Sequence, residues 1–110
     1  MSDGRIESVP GGTLRLLGVL DLHTGPALRE QGRGLIRADA GAELVVDCSA
    51  IEKSSSVGLS LLLAFMRDAR AAQRPVRISG MPADMLEIAR VSGLLDILPL
   101  DAAPAGSSSR

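Results

Sequence analysis

The residue types best suited to chemistry are concentrated in residues 44–65, which read LVVDCSAIEKSSSVGLSLLLAF. This stretch contains an aspartate, a cysteine and three consecutive hydroxyls, those of Ser54, Ser55 and Ser56. A hydrolase would need one of these serines as its nucleophile, with the single histidine, His23, as its base. The chain has no G-x-S-x-G motif to expose such a nucleophile, so we predict no catalytic residues and no enzyme activity.

The three serines stand directly before an apolar run and are therefore predicted to mark the start of a helix. One of them is expected to be the N-cap, whose hydroxyl accepts a free backbone N–H and contributes about 1 kcal/mol. Ser56 has a second interpretation, as a hydroxyl that contacts a partner or is phosphorylated. A phosphate would be favoured there by the helix dipole, and both interpretations can hold together.

The helix that follows is apolar on nearly all sides. One apolar stripe contains Leu59, Leu62, Leu63 and Met66, and a second contains Val57, Leu61 and Phe65. A helix that packs on one sheet needs a single apolar face, so a second cover is expected. That cover is either another protein or a neighbouring helix of the same chain.

Composition excludes several functional classes. One cysteine and one histidine cannot form a zinc cluster or an internal disulfide, so we predict no metal and no cofactor. The net charge is −1 and Phe65 is the single aromatic residue, which argues against nucleic-acid binding. Cys48 is expected to be a small buried apolar residue, and His23 a solvated loop residue.

Neither a secretion signal nor a run of about 20 apolar residues is present, so we predict a cytoplasmic protein without direct membrane insertion.

Two strands and a helix are predicted ahead of the serine-containing stretch. Residues 5–9 and 13–20 flank a Pro-Gly-Gly turn and should pair antiparallel. A helix then runs to about Ala40, with Thr24 as its capping residue.

Strands alternate with helices in the rest of the chain. Residues 43–47 are predicted to be the central strand, followed by a polar loop over residues 48–56 and the apolar helix. Residues 76–79 should form a further strand, and Gly93 should end a third helix. This order predicts one α/β domain, with a mixed sheet of about four or five strands and helices mainly on one face.

The domain is expected to span residues 1–100, and residues 101–110, rich in Ala, Pro, Gly and Ser, are expected to be a disordered tail.

The stretch VVDCSAIEKSSSVGLSLLL, residues 45–63, resembles the signature of STAS domains, the sulfate-transporter and anti-sigma-factor-antagonist family. Asp47 and Ser49 match the family's Asp-x-Ser turn, which implies that they form a structural loop. Ser56 falls on the family's contact or phosphorylatable hydroxyl, and Gly58 matches its glycine.

The resemblance covers residues 5–100, including residues 18–21, which are similar to the family's G-x-L-D motif. Two positions depart from the pattern: Ser55 replaces the usual Asp, and Val57 replaces a Ser or Thr.

The resemblance implies a protein that acts by docking on a partner. The implied partner-binding residues are Ser54, Ser55, Ser56, Val57, Gly58, Leu59 and Leu61. One branch of the family is the MlaB-type subunit of the phospholipid ABC transporter that maintains outer-membrane lipid asymmetry. It docks on the MlaF-like ATPase subunit, and through it on the permease, at the cytoplasmic side of the inner membrane. The departures at Ser55 and Val57 favour this branch.

The other branch is the anti-sigma factor antagonist, whose partner is a kinase-like anti-sigma factor. In that branch the implied switch is phosphorylation of Ser56.

Overall fold

The alternation of short apolar runs with amphipathic segments produces seven elements in the computed structural model, which describes residues 3–100. They are β1 (Arg5–Val9), β2 (Thr13–Leu20), α1 (Gly25–Arg37), β3 (Leu44–Ser54), α2 (Ser56–Ala71), β4 (Val76–Ser79) and α3 (Ala83–Val91). The four strands form one mixed sheet in the order β1-β2-β3-β4. The predicted α/β class and the central position of β3 are confirmed.

The opening hairpin forms as predicted. β1 and β2 pair antiparallel, with Ile6 opposite Leu16. The turn between them needs glycine, because Gly11 and Gly12 both have positive φ angles, 96° and 88°. A Cβ atom on Gly12 would also lie 2.6 Å from the Glu43 carbonyl oxygen.

The core lies between one face of the sheet and the helices. Side chains along β2 alternate between buried and half-buried, which shows that the helices cover a single face. That buried face carries Leu14, Leu16 and Leu20. Phe65 of α2 is fully buried and lies so close to Gly32 of α1 that any side chain at residue 32 would overlap the ring.

The helix α1 ends at Arg37, three residues earlier than predicted, and Gly41 follows with a φ of 87°. The buried guanidinium of Arg74 stabilises this end. It donates to the carbonyl oxygen of Ile36 in the last turn of the helix, at 3.0 Å, and to those of Ala42 and Glu43 in the segment that follows, at 2.7 and 3.2 Å.

At the start of α1, Thr24 occupies the N-cap position, but its side chain accepts no hydrogen bond from the helix. Its hydroxyl instead lies 3.4 Å from the Val19 carbonyl oxygen and 3.3 Å from a carboxylate oxygen of Asp21. The predicted capping by Thr24 is therefore wrong, because the hydroxyl is engaged by the end of β2.

The predicted glycine cap of α3 is confirmed. Gly93 has a φ of 73°, and the Leu94 N–H donates to the Ala89 carbonyl oxygen at 2.9 Å, the Schellman arrangement. The chain then turns back along β4, where the Ile78 N–H donates to the Pro99 carbonyl oxygen at 2.8 Å. The predicted tail, residues 101–110, lies outside the described residues.

Candidate partner-binding surface

The segment between β3 and α2 is shorter than predicted. β3 continues through Ser54, so most of the predicted loop, residues 48–56, is strand. The extension follows from pairing with β2, in which Leu17 lies opposite Ala50 and Leu20 opposite Ser54. β3 accommodates two irregularities in this pairing, and both place an extra residue in β3.

Asp47 and Ser49 lie at the first of these irregularities, within the strand rather than in a loop. One carboxylate oxygen of Asp47 accepts the Ser49 N–H at 2.9 Å and the Ser49 hydroxyl at 2.7 Å. The other accepts from Nε of Arg15 on β2 at 3.3 Å. These contacts stabilise the β-bulge. The structural role of Asp47 and Ser49 is therefore in a bulged strand and not in a loop.

The same contacts stabilise the negatively charged form of the Asp47 carboxyl group. Partial burial by itself raises the pKa of the carboxyl, but the hydrogen bonds from Ser49 and the nearby Arg15 guanidinium together outweigh it and lower the pKa below the ordinary value of 3.8. The adjacent Cys48 is fully buried, as predicted, and burial with the neighbouring Asp47 charge raises the pKa of its thiol to about 12.

The three serines have three different environments. Ser54 is buried, and its hydroxyl donates to the Ser55 carbonyl oxygen at 2.7 Å. Ser55 is the N-cap of α2, because its hydroxyl accepts the Val57 N–H at 3.2 Å. Ser56 is the first residue of the helix and is exposed. The predicted serine cap is therefore confirmed, at Ser55.

Gly58 belongs to the interior, and its role is packing. A Cβ atom at this position would overlap the Ser54 hydroxyl oxygen and lie 3.0 Å from the terminal methyl of Met85 on α3. The glycine thus allows the first turn of α2 to pass against the end of β3 and the start of α3. Neither Ser54 nor Gly58 presents a surface to a partner.

Leu59 and Leu61 are also internal, with exposed fractions of 3% and 4%. Leu59 therefore adds no exposed surface, whereas Leu61, although buried, lines a surface groove beside the start of the helix. Most apolar side chains of α2 pack into the core with α1, the sheet and α3, and three of them, Val57, Leu63 and Met66, stay half-buried. Of the predicted contact residues, Ser55 and Ser56 remain exposed and Val57 is half-buried.

A groove beside the exposed serines was missed by the sequence interpretation. It lies between the first turns of α1 and α2, has a volume of about 310 Å³, and is lined by Leu22, Gly25, Pro26, Arg29, Val57, Ser60, Leu61 and Ala64. Leu22 is 81% exposed, more than any other large apolar residue in residues 3–100. A leucine between Asp21 and His23 in a polar loop was the signal in the sequence.

An ion pair joins the two helices beside the groove. The guanidinium of Arg29 on α1 contacts both carboxylate oxygens of Asp68 on α2, at 2.5 and 3.4 Å. Asp68 is buried, so this two-contact geometry sets the position of one helix against the other. We define the candidate partner-binding surface as Leu22, Pro26, Ser55, Ser56, Val57 and Ser60.

His23 is exposed, and its backbone N–H donates to a carboxylate oxygen of Asp21 at 3.0 Å. Residues 3–100 contain no group of three or more His, Cys, Asp or Glu side chains arranged to hold a metal ion. In the same part of the chain, no helix is both long and apolar enough to cross a bilayer.

A protein-family model described as "Mlab, STAS domain" matches residues 7–99. The chain belongs to the STAS family. The Asp47, Ser56 and Gly58 positions of the STAS signature thus correspond to a bulge contact, an exposed helix start and a packing glycine. No curated protein gives a significant sequence match.

Solved STAS structures share the fold. An anti-sigma factor antagonist from Mycobacterium paratuberculosis has a TM-score of 0.72 at 24% identity, covering 93% of this chain and 86% of that one. A chain of the Acinetobacter MlaFEDB complex in an ATP-bound conformation has a TM-score of 0.71 at 22% identity, covering 84% and 97%. The phosphorylated Bacillus cell fate determinant SpoIIAA has a TM-score of 0.64 at 20% identity, covering 94% and 93%.

Proposed function

We propose that this STAS protein is a non-catalytic subunit that binds and stabilises or regulates the ATPase of an Mla-type phospholipid ABC transporter, which maintains outer-membrane lipid asymmetry. In this proposal it lies in the cytoplasm and reaches the inner membrane through the ATPase and the permease. The candidate partner-binding surface defined above makes the contact.

The observation that carries the proposal is the exposure of Ser56 in the first turn of α2, beside the groove under Leu22. Uncharged hydroxyls around an exposed leucine and a half-buried valine suit an interface centre, where apolar anchors are surrounded by hydrogen-bonding groups. A surface of this kind binds another polypeptide through burial and shape, without chemistry on a substrate.

The choice of a transporter ATPase rests on the two departures from the STAS pattern and on the description of the matching family. Ser55 caps α2 as a neutral residue in place of the usual Asp. Val57 adds an apolar side chain to the groove where the family pattern has a hydroxyl. Both changes make the surface less polar, as expected of a constitutive subunit contact.

The alternative function is an anti-sigma factor antagonist switched by phosphorylation of Ser56. It is supported by the exposed position of that hydroxyl at a helix N-terminus, where a phosphate is electrostatically favoured. The phosphate would add nearly two negative charges to the contact surface and release the anti-sigma partner. The shared fold of the antagonists is consistent with this function.

Affinity purification of the tagged chain from its own cells separates the two functions. We expect mass spectrometry to identify an ABC ATPase with its permease. Recovery of a serine-kinase-type anti-sigma factor without transporter subunits would support the alternative function and contradict the transporter assignment.

Two substitutions test the surface in the same purification. Ser56→Glu and Leu22→Asp should each weaken ATPase binding by about 30-fold, the effect of losing roughly 2 kcal/mol at an interface centre. Ser92→Glu, an exposed serine at the C-terminal end of α3, is the matched control and should bind normally. If Ser56→Glu still copurified with the ATPase and supported transport, the interface assignment would be wrong.

A further inference from the structure

We infer that the free edge of β1 pairs two copies of this chain into a two-fold symmetric dimer with one continuous sheet. This surface is separate from the candidate partner-binding surface on α1 and α2. The inference therefore stands whether or not an ATPase is the partner.

One edge strand of the sheet is partly covered and the other is open. The edge of β4 is covered where Ile78 receives the returning segment at Pro99 and Leu100. β1 pairs with β2 on one side, and among residues 3–100 no strand pairs with its other side. An open strand edge carries unpaired N–H and C=O groups and readily accepts another strand.

The side chains of β1 make this edge complementary to itself. Arg5 and Glu7 point to one face of the sheet and Ile6 to the other, since successive residues alternate. In an antiparallel pair centred on Ile6, the Arg5 of each copy lies opposite the Glu7 of the other, and the two Ile6 side chains lie side by side. Arg5 and Glu7 are exposed, and Glu7 also lies opposite Arg15 of β2.

Neighbouring registers are less favourable. A pair centred on Glu7 would place the two glutamates opposite each other, and one centred on Arg5 would do the same with the two arginines. A shift by one residue would place Ile6 against Glu7. Opposite charges across strands attract and like charges repel, so the charge order Arg-Ile-Glu selects the register centred on Ile6.

The helix layer leaves room for the second copy. Two grooves of about 330 and 590 Å³ lie between β1 and α1, and Ile6 lines both. The α1 side of these grooves includes the small residues Ala27 and Gly34, and there is open space where a Cβ atom of Gly34 would lie. In the register centred on Ile6 the helices of both copies lie on the same face, so these small residues, together with Glu30 and Gln31 of the same grooves, face the partner across the two-fold axis.

Charge exchange provides a sharp test by sedimentation velocity on the full chain. The unmodified protein should show a concentration-dependent monomer–dimer equilibrium between micromolar and millimolar concentrations. Arg5→Glu and Glu7→Arg should each raise the dimer dissociation constant on the order of tenfold or more, because two attractions become two repulsions. The matched control Arg67→Glu, an exposed charge reversal on α2, should dimerise normally.

The register predicts two forms of recovery that a general loss of stability would not produce. Mixing the Arg5→Glu and Glu7→Arg proteins should give a heterodimer, since one copy then carries two negative and the other two positive charges at the edge. The double variant R5E/E7R should form a homodimer again. Thermal unfolding of each variant checks its fold. Glu7 lies opposite Arg15 on β2, so an arginine at position 7 would also be repelled within its own chain. Glu7→Gln avoids this repulsion and should still weaken the dimer, because it removes the charge that attracts Arg5 of the other copy.

Strictly monomeric behaviour of the unmodified protein at all concentrations would overturn the inference. So would a dimer that is insensitive to the single charge reversals. If each single variant alone dimerised as strongly as the mixture of the two, the proposed register would be wrong.

Discussion

The two sides of α2 are built from adjacent residues of one short segment, yet they face opposite environments. Ser56 and Ser60 are exposed, whereas Leu59 and Phe65 are buried in the core of the same chain. The comparison shows that a helix rich in apolar residues does not by itself indicate a partner. At the start of the helix, the residues available for contact are the few hydroxyls and the valine beside Leu22.

The largest difference between the two sides should appear when the core side is truncated. Phe65→Ala removes a fully buried ring that packs on Gly32, and it should lower the free energy of unfolding by about 3–5 kcal/mol. Urea unfolding followed by circular dichroism measures this loss. A loss below about 1 kcal/mol would mean that the α1–α2 contact is not part of a packed core.

Adding a methyl group at the buried junction should have the next largest effect. Gly58→Ala places a Cβ atom against the Ser54 hydroxyl and the Met85 methyl, so we expect a loss of about 1–3 kcal/mol in the same unfolding assay. Gly34→Ala is the matched control, because it lies in an exposed part of α1 with open space around it. That substitution should stabilise the protein by up to about 1 kcal/mol, the gain in helix propensity.

Ser55 and Ser56, at the start of α2, should differ in their effect on stability, because only Ser55 caps the helix. Ser55→Ala removes the N-cap hydrogen bond and should cost about 1 kcal/mol, whereas Ser56→Ala should change stability by less than about 0.5 kcal/mol. Thermal unfolding of the two variants measures the contrast. Equal losses in both variants would contradict the assignment of Ser55 as the sole capping hydroxyl of the pair.

The smallest expected effect concerns acid stability at the β3 bulge. The pKa of Asp47 is lower in the folded protein than its ordinary 3.8, so its charged form contributes stability at neutral pH. That contribution is lost as the pH falls below the ordinary value and through the lowered folded value. Asp47→Asn should therefore cost less than about 1 kcal/mol at neutral pH, and the difference should shrink toward strongly acidic pH.

Unfolding curves measured at several pH values would show this convergence. A difference between wild type and Asp47→Asn that grew toward acid pH would contradict the sign of the pKa change.

The order of elements, the class of fold and the serine cap of α2 follow from local features of the chain. Pro-Gly-Gly between two alternating segments predicts a hairpin, and Gly93 after an amphipathic segment predicts the end of α3, because turns and caps depend on neighbouring residues. The polar character of residues 48–56 predicted a loop, but residues 48–54 belong to β3. They form a strand because β2 and its hydrogen-bonding groups lie alongside, a contact that local sequence does not contain.

The sequence pattern did not predict which residues of the site are exposed. Ser54, Gly58 and Leu59 were predicted to contact a partner, but the approach of α1, α3 and the end of β3 buries them. Leu22, from a loop distant in sequence, joins Val57 to line the exposed groove. Periodicity reports which faces of an element are apolar, whereas burial depends on which other elements arrive at each face, and that is set by long-range packing.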